Sequence, residues 1–149
     1  MKVSDVLLSK SDRLVCAPAD APLSRLLAIM VEARVGSIII TRPRSTTATL
    51  GIVTERSIIE EAAKKGPHIF SQSAHSLVRA PIPRCCADDS VSHAMFLMTS
   101  LRTRHLLVAT GDDVPGLVSI GDLVKFRIRD TELENAVLRD LAAARILNA

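Results

Sequence analysis

Two short segments of this 149-residue chain repeat the same order of residue types. Each begins with glycine, continues with two apolar residues and a hydroxyl residue, and places a polar side chain three positions after the hydroxyl. The segments are Gly51–Ser57 and Gly116–Asp122. In both, a short apolar run changes directly into a polar helix start, which predicts a strand followed by a helix. A chain with two such turns is constrained to a duplicated unit.

The residues around the two turns repeat as well. At a shift of 68 positions, Asp20, Leu23, Ser24, Met30 and Ile38–Ile40 coincide with Asp88, Val91, Ser92, Met98 and Leu106–Val108. The turns themselves coincide at a shift of 65, because the loop before Gly51 has three extra residues. Apolar residues three and four apart mark helices, and short β-branched runs mark strands. Each copy therefore predicts the order β-α-β-β-α.

We expect an α/β (α+β) fold of two pseudo-symmetric repeats. Repeats of this size have too little core alone, so they are expected to pack sheet to sheet. The expected boundaries are 1–66 for the first repeat, 67–76 for a polar linker, 77–129 for the second repeat and 130–149 for a C-terminal amphipathic helix. The sequence leaves open whether the apolar stripe of that last helix packs on its own domain or on a second subunit.

Within the first repeat, the helix that starts after Pro22 is expected to run to about Arg34. Gly36 follows it as the expected C-terminal stop, because glycine is the usual residue just past a helix end. The closing helix of the second repeat is expected over Ile120–Ile128, separate from the tail that begins at Asp130.

Composition excludes several classes of protein. The net charge of +3, from 19 basic and 16 acidic residues, is mild and dispersed, and the only aromatic residues are three phenylalanines. Nucleic acid is therefore an unlikely partner on sequence grounds. No window approaches the ~20 apolar residues of a membrane helix, and charged residues occupy the N-terminus. Three cysteines do not form a secreted disulfide framework, so a cytoplasmic location is expected.

The residues indicate no catalytic or metal site. Cys85 and Cys86 are adjacent, so on a strand they point to opposite faces and do not form a CxxC pair. The four histidines are scattered, and nucleophile elbows, Walker loops and dinucleotide-binding glycine motifs are absent from the sequence. We therefore expect a protein that is not an enzyme and holds no metal.

The second turn has the chemistry of a nucleotide site. A strand that ends in Ser119 and passes at once into a helix presents backbone N–H groups and the positive end of the helix dipole, which suit a phosphate. Asp122 is an acceptor pair suited to two ribose hydroxyls. Arg104 and His105 precede the neighbouring strand and are expected to supply phosphate charge. The same Ser-x-x-Asp spacing is also a helix capping box.

The chain resembles the tandem CBS domain pair, or Bateman module, over about residues 3–128. The resemblance rests on Val3–Val6, the helix starts at Asp20 and Asp88, the segment Arg104–Val108 and the two repeated turns. It implies a head-to-head pair of small sheets, clefts that bind adenosine-containing ligands, and assembly of two chains into a flat disk. AMP, ADP or ATP is the implied ligand, with NAD or S-adenosylmethionine as alternatives.

The expected site residues follow from the turns and from the lead-in to each first strand. For the second repeat they are Ser119, Ile120, Gly121, Asp122, Arg104 and His105, with Ile82, Pro83, Arg84 and Val108 around the base. For a weaker cleft in the first repeat they are Thr54, Arg56 and Ser57, with Leu14, Val15, Cys16 and Ile40 around the base.

The two turns differ, and the difference predicts an asymmetric module. The first turn has Ser57 where the second has Asp122, and Gly36–Ser37 where the second has Arg104–His105. Two functions remain open. In one, an adenine nucleotide binds at Asp122 and an unknown effector protein reads the change. In the other, the chain is a ligand-free scaffold or homodimer that acts through its C-terminal helix.

Overall fold

The computed structural model describes residues 1–10, 14–44, 48–110 and 113–147, which form two compact units. The first-repeat unit spans Asp12–Ile82, and the second-repeat unit combines Met1–Ser11 with Pro83–Ala149. Each unit contains one three-stranded mixed sheet. The predicted fold class, two β-α-β-β-α repeats followed by a C-terminal helix, is confirmed.

The first-repeat sheet has the order β1-β2-β3, with β1 parallel and β3 antiparallel to β2. Its elements are β1 (Cys16–Pro18), α2 (Leu23–Ala33), β2 (Ser37–Thr41), β3 (Thr49–Thr54) and α3 (Glu55–Lys65). The three isoleucines of β2 are fully buried, as expected for a short β-branched strand between covered faces. Ile38 and Ile40 lie in the core cluster together with Leu23 and Leu26 of α2.

The second-repeat sheet repeats this arrangement in the order β4-β5-β6. Its elements are β4 (Arg84–Cys86), α4 (Val91–Ser100), β5 (His105–Thr110), β6 (Asp113–Ser119) and α5 (Ile120–Leu147). Ser90 caps α4, because its hydroxyl accepts from the N–H of His93 at 3.0 Å. Leu106 and Val108 of β5 point into the core of this unit.

The first helix of the chain belongs to the second-repeat unit. Helix α1 (Val3–Ser9) buries Val3 and Val6 in the core of that unit. Its N-terminus is held by backbone hydrogen bonds from Val3 to Asp89 and from Ser4 to Ala87, both 2.9 Å. The beginning of the chain is therefore placed beside the second repeated turn.

The segment expected as a polar linker is structured and belongs to the first-repeat unit. It contains two short 3₁₀ helices, Pro67–Ser71 and Ala74–Leu77, and both Ile69 and Ala74 are completely buried. Further along, Arg79 exchanges two backbone hydrogen bonds of 3.0 Å with Ile52 of β3. Ile69 and Ala74 anchor this segment in the core, although its apolar residues are too widely spaced to show a helix or strand period in the sequence.

Two expectations about helix ends are wrong. Helix α2 ends with Arg34 in the left-handed conformation, at φ 55°, rather than with Gly36. Gly36 instead lies against Glu55, whose Oε1 would be 3.2 Å from a Cβ at that position. The second difference is that α5 is one helix of 28 residues where two elements were expected. No glycine or proline follows Gly121, so nothing in the sequence interrupts it.

Candidate functional site

The turn at the start of α5 is a closed capping box. The N–H of Ser119 donates to Asp122 Oδ2 at 2.8 Å, and the N–H of Asp122 donates to Ser119 Oγ at 3.2 Å. These two hydrogen bonds cap the helix and also fix the orientation of the Asp122 carboxylate. Both residues are half-buried, so the carboxylate is held in one orientation while part of its surface remains accessible.

A lysine from the beginning of the chain completes this turn. Lys10 Nζ lies 2.8 Å from Asp122 Oδ2 and 3.1 Å from the carbonyl oxygen of Leu117. Each partner of the ion pair keeps 23% of its side-chain surface exposed. Lys10 was not among the expected site residues, because it lies 112 positions from Asp122 and outside both repeated motifs.

The lysine sets the charge of the carboxyl group. Burial on its own raises the pKa of Asp122, but the hydrogen bonds from Lys10 and from the Ser119 N–H outweigh it. The net effect holds the pKa of Asp122 below its usual value, so the group is ionised at neutral pH. Among the described residues, Oδ1 of Asp122 makes no hydrogen bond, so this oxygen is available to a ligand.

His105 and Arg104 lie next to the turn. His105 pairs with Ser119 across β5 and β6, and the carbonyl of Arg104 accepts from the N–H of Ile120 at 2.9 Å. Burial lowers the pKa of His105, the Asp122 carboxylate opposes this, and the cations Lys10 and Arg104 lower the pKa further. The imidazole is therefore neutral at pH 7, and the side chain of Arg104 is exposed. Positive charge at this turn comes from Lys10 and Arg104.

The capping interactions occupy most backbone donors of the turn. The N–H groups of Ser119, Ile120 and Asp122 all donate within the unit. The exposed Gly121 has no backbone partner in the described part of the chain. The sequence predicted several free amides here, whereas the structure leaves Gly121 as the donor available to an anion.

The residues expected around the base in the second repeat occupy different environments. Pro83 gives its carbonyl to the N–H of Leu107 at 2.9 Å, and Arg84, which pairs with Leu107 in the sheet, is exposed. Ile82 is buried and belongs to the first-repeat unit. Val108 has no exposed surface and lies in the core of its own unit.

The first repeated turn has the same backbone and different charges. Thr54 and Ser57 cap each other at 3.1 and 3.2 Å, and the Ser57 hydroxyl also donates to the Thr54 carbonyl at 2.7 Å. Ser57 is therefore both donor and acceptor, where Asp122 only accepts. Glu55 occupies the position of Ile120, so this helix starts with a carboxylate, and the exposed Arg56 pairs with Glu60 at 2.8 Å.

The lead-in residues of the first repeat mirror those of the second. The carbonyl of Val15 accepts from the N–H of Ile39 at 3.0 Å, as Pro83 does in the other unit. Leu14 is half-buried and Cys16 is exposed. Ile40 is fully buried in the helix-facing core, as Val108 is.

The family model described as "CBS domain" matches residues 3–64 and 74–129 of the chain. The chain belongs to the CBS domain family. The two matches account for both repeats, and each ends within the helix that follows the repeated turn. This CBS pair therefore carries the two capped turns at equivalent positions of its two domains.

Several relatives share the fold of this CBS pair. It is 28% identical over 130 residues to the Arabidopsis thaliana protein CBSX3, described as mitochondrial, and spans 63% of that relative's length and 83% of its own. The structure of ATU1752 from Agrobacterium tumefaciens is 28% identical, with a TM-score of 0.77 over 85% of this chain and 92% of that chain. PAE2072 from Pyrobaculum aerophilum, a CBS domain protein complexed with AMP, is 22% identical with a TM-score of 0.68, covering 82% and 89%. At that identity the likeness shows the fold alone.

The described residues of this CBS pair form neither a membrane-spanning helix nor a cluster of metal-ligand side chains. No helix among them is long and apolar enough to cross a membrane. No three or more histidine, cysteine, aspartate or glutamate side chains come together there as metal ligands would.

Proposed function

We propose that this CBS pair binds an adenine nucleotide at the second repeated turn and transmits its presence to a separate effector protein. The observation that carries the proposal is the state of Asp122. Its carboxylate is ionised, fixed through Oδ2, and has Oδ1 without a partner in the described part of the chain. The protein acts as a binding module in this proposal, and it is not an enzyme.

The chemistry of a nucleotide matches the groups at this turn. Oδ1 of Asp122 accepts from a ribose hydroxyl, as carboxylates do in other nucleotide-binding folds. The exposed N–H of Gly121, at the positive end of a 28-residue helix, faces the phosphate. AMP, ADP and ATP share these groups, and the AMP complex of the Pyrobaculum relative supports the choice of adenosine monophosphate as the first ligand to test.

The first repeat is not expected to bind the same ligand. Ser57 is buried and uses its hydroxyl within the cap, so it offers no ribose-binding carboxylate. Glu55 adds negative charge at the helix start, which opposes a phosphate. We therefore propose one nucleotide site in each chain.

Isothermal titration with AMP, ADP and ATP tests this proposal. We expect one site per chain, lost in Asp122→Asn and retained in Asp88→Asn, where the exposed carboxylate makes only a surface ion pair. A bound ligand at 100 times its dissociation constant stabilises a protein by ~2.7 kcal/mol, so a thermal-shift measurement gives an independent reading. Wild-type affinity in Asp122→Asn, two equal sites, or no binding of any of the three nucleotides would contradict the proposal. NAD and S-adenosylmethionine are included as competitors.

A second candidate function rests on the C-terminal helix. The apolar side chains Leu133, Val137 and Leu141 are spaced four residues apart, so they share one face of α5, and each is at least 50% exposed. Such a face is typical of a helix that pairs with another helix. In this alternative the chain is a scaffold that dimerises through α5, in addition to or in place of the disk-like homodimer implied by the family.

The mass of the particle in solution tests the alternative. We expect a homodimer by light scattering, and we expect Leu133→Glu with Leu141→Glu to give a monomer if α5 forms the contact. Asn135→Glu is the matched control, because at 100° per residue Asn135 lies on the opposite side of the helix from Val137. A dimer that survives the double substitution rules out α5 as the interface.

We propose the cytoplasm as the compartment of this protein. Cys16, Cys85 and Cys86 are all free thiols, which fits a reducing environment. The name of the Arabidopsis relative gives a mitochondrial location for that protein. Cell fractionation distinguishes the two compartments.

A further inference from the structure

We propose that Lys10 makes the Asp122 site selective for phosphorylated nucleotides over neutral adenosine compounds. This inference rests on the proposed function and names a specificity residue for it. It concerns a side chain from the N-terminal segment that lies outside both repeated turns.

The position of Lys10 is fixed by two acceptors. Its ammonium group donates to the Leu117 carbonyl at 3.1 Å and to Asp122 Oδ2 at 2.8 Å. An ammonium group has three N–H donors, so one remains without an acceptor among the described residues. Because 23% of the lysine side chain is exposed, a ligand has access to this third donor. The lysine does not have to leave Asp122 in order to bind an anion.

The ammonium group of Lys10 lies at the same turn as the proposed phosphate-binding N–H of Gly121. Leu117 lies two residues before the end of β6, and Gly121 lies in the first turn of α5, so the lysine and the available Gly121 N–H serve the same turn. A phosphate there gains a charge-assisted hydrogen bond that a neutral nucleoside lacks. Asp122 Oδ1, by contrast, offers the same acceptor to the ribose of both compounds.

In the described part of the first repeat, no lysine or arginine is hydrogen-bonded to the Thr54–Ser57 cap. Leu7 lies against Gly116 as Val78 lies against Gly51 in the other unit, so these two apolar residues occupy equivalent places. Beyond these two residues the segments differ, because Leu7 leads through helix α1 to Lys10, whereas Val78 leads through extended backbone to Arg79, whose side chain lies 3.8 Å from Glu60. Phosphate selectivity is therefore a property of the second turn.

The test compares AMP with adenosine by titration calorimetry on the full chain. In the wild type we expect AMP to bind about 10-fold to 100-fold more tightly, the range that corresponds to one hydrogen bond to a charged group. In Lys10→Met this ratio falls at least about fivefold below the wild-type ratio, the remainder coming from the Gly121 N–H and Arg104, while adenosine affinity stays within about threefold. Lys10→Arg keeps the preference for AMP.

Lys2→Met is the matched control. Lys2 lies just before the same N-terminal helix and forms an ion pair of equal length, 2.8 Å, with Asp88. The side chains of Lys2 and Asp88 are 57% and 86% exposed, and both lie outside the proposed site. We expect the AMP-to-adenosine ratio of this variant to equal that of the wild type.

The outcomes separate the two proposals. If Lys10→Met weakens AMP and adenosine equally, the lysine only orients Asp122 and the selectivity proposal is overturned, while the nucleotide site stands. If the ratio is unchanged, the proposal is also overturned. If the wild type binds neither compound, both proposals fail. If Lys10→Met does not fold, the salt dependence of binding to the wild type provides the test. AMP binding must weaken with rising salt concentration while adenosine binding does not. Equal salt dependence of AMP and adenosine binding overturns the proposal.

Discussion

Gly116 lies directly against the side chain of Leu7. A Cβ atom at Gly116 would come within 2.7 Å of Leu7 Cδ2, closer than real Cβ contacts. In the first-repeat unit, a Cβ at Gly51 would come within 2.6 Å of Val78 Cγ1 and closer still to the backbone carbonyl of Arg79. The glycine that begins each repeated turn therefore admits a segment that reaches the sheet from another part of the chain.

We expect Gly51→Ala to destabilise the protein more than Gly116→Ala does. The alanine at position 51 meets a backbone carbonyl held by the Ile52–Arg79 bridge, whereas the one at position 116 meets the flexible end of a leucine. Overpacking of this kind costs about 1–3 kcal/mol. Gly121→Ala is the control, because its nearest neighbour would be 3.6 Å away. Urea denaturation measures all three, and equal losses at positions 51 and 116 would contradict the explanation.

Arg102→Gly is expected to stabilise the protein. Arg102 follows α4 with φ 50°, a left-handed conformation that glycine adopts without strain. The Thr103 N–H bonds the Met98 carbonyl at 2.9 Å, so the cap itself is retained. Relief of the left-handed strain contributes about 1–2 kcal/mol, and the greater freedom of glycine in the unfolded chain removes about 0.4–1 kcal/mol, so we expect a net gain of about 0.5–1 kcal/mol in the free energy of unfolding. Arg25→Gly, inside α2, should lose about 1 kcal/mol. A loss in Arg102→Gly would show that the arginine side chain contributes there.

Lys10→Met should lower the stability at neutral pH and make the remaining stability depend less on pH in the acid range. In the wild type the folded pKa of Asp122 lies below its unfolded value of about 3.9, so its contribution is present above that pH and lost as the pH falls through the folded pKa. Without the lysine, burial offsets the remaining hydrogen bonds and the folded pKa rises, so Asp122 contributes less stability at neutral pH and less is lost as the pH falls. Urea denaturation from pH 3 to pH 7 measures this. If the free energies of unfolding of the wild type and Lys10→Met change in parallel with pH, the prediction is wrong. Lys2→Met is the control and should show the pH dependence of the wild type.

Ser57→Asp should not create a second nucleotide site. The new carboxylate would be buried at a position that is 6% exposed, beside Glu55 and without a lysine partner. We expect a loss of about 1–3 kcal/mol in stability and a stoichiometry that remains one nucleotide per chain. The reciprocal change, Asp122→Ser, should keep the turn, because Ser57 shows that serine can close this cap, but should lose the nucleotide. Two sites in Ser57→Asp would contradict the proposed role of charge.

Local patterns were sufficient for most of the architecture. The isoleucines of β2 and the leucines of α2 identified a strand and a helix correctly, because burial of one face requires a regular spacing. The capping box at Ser119 was equally visible, since it depends on residues three positions apart. Helix ends were less predictable. Arg34 rather than Gly36 ends α2, because the tertiary structure holds an arginine in a conformation that it disfavours alone.

The sequence by itself determined that this chain contains two β-α-β-β-α repeats with unequal turns, and that Asp122 has no carboxylate counterpart in the first. It did not identify the cation beside Asp122. Lys10 reaches that carboxylate because α1 packs in the second-repeat unit, where Val3 and Val6 complete the core. Contacts within a turn follow from spacing along the chain. A contact between residues 112 positions apart depends on where a distant helix buries its apolar face, and only the tertiary structure decides that.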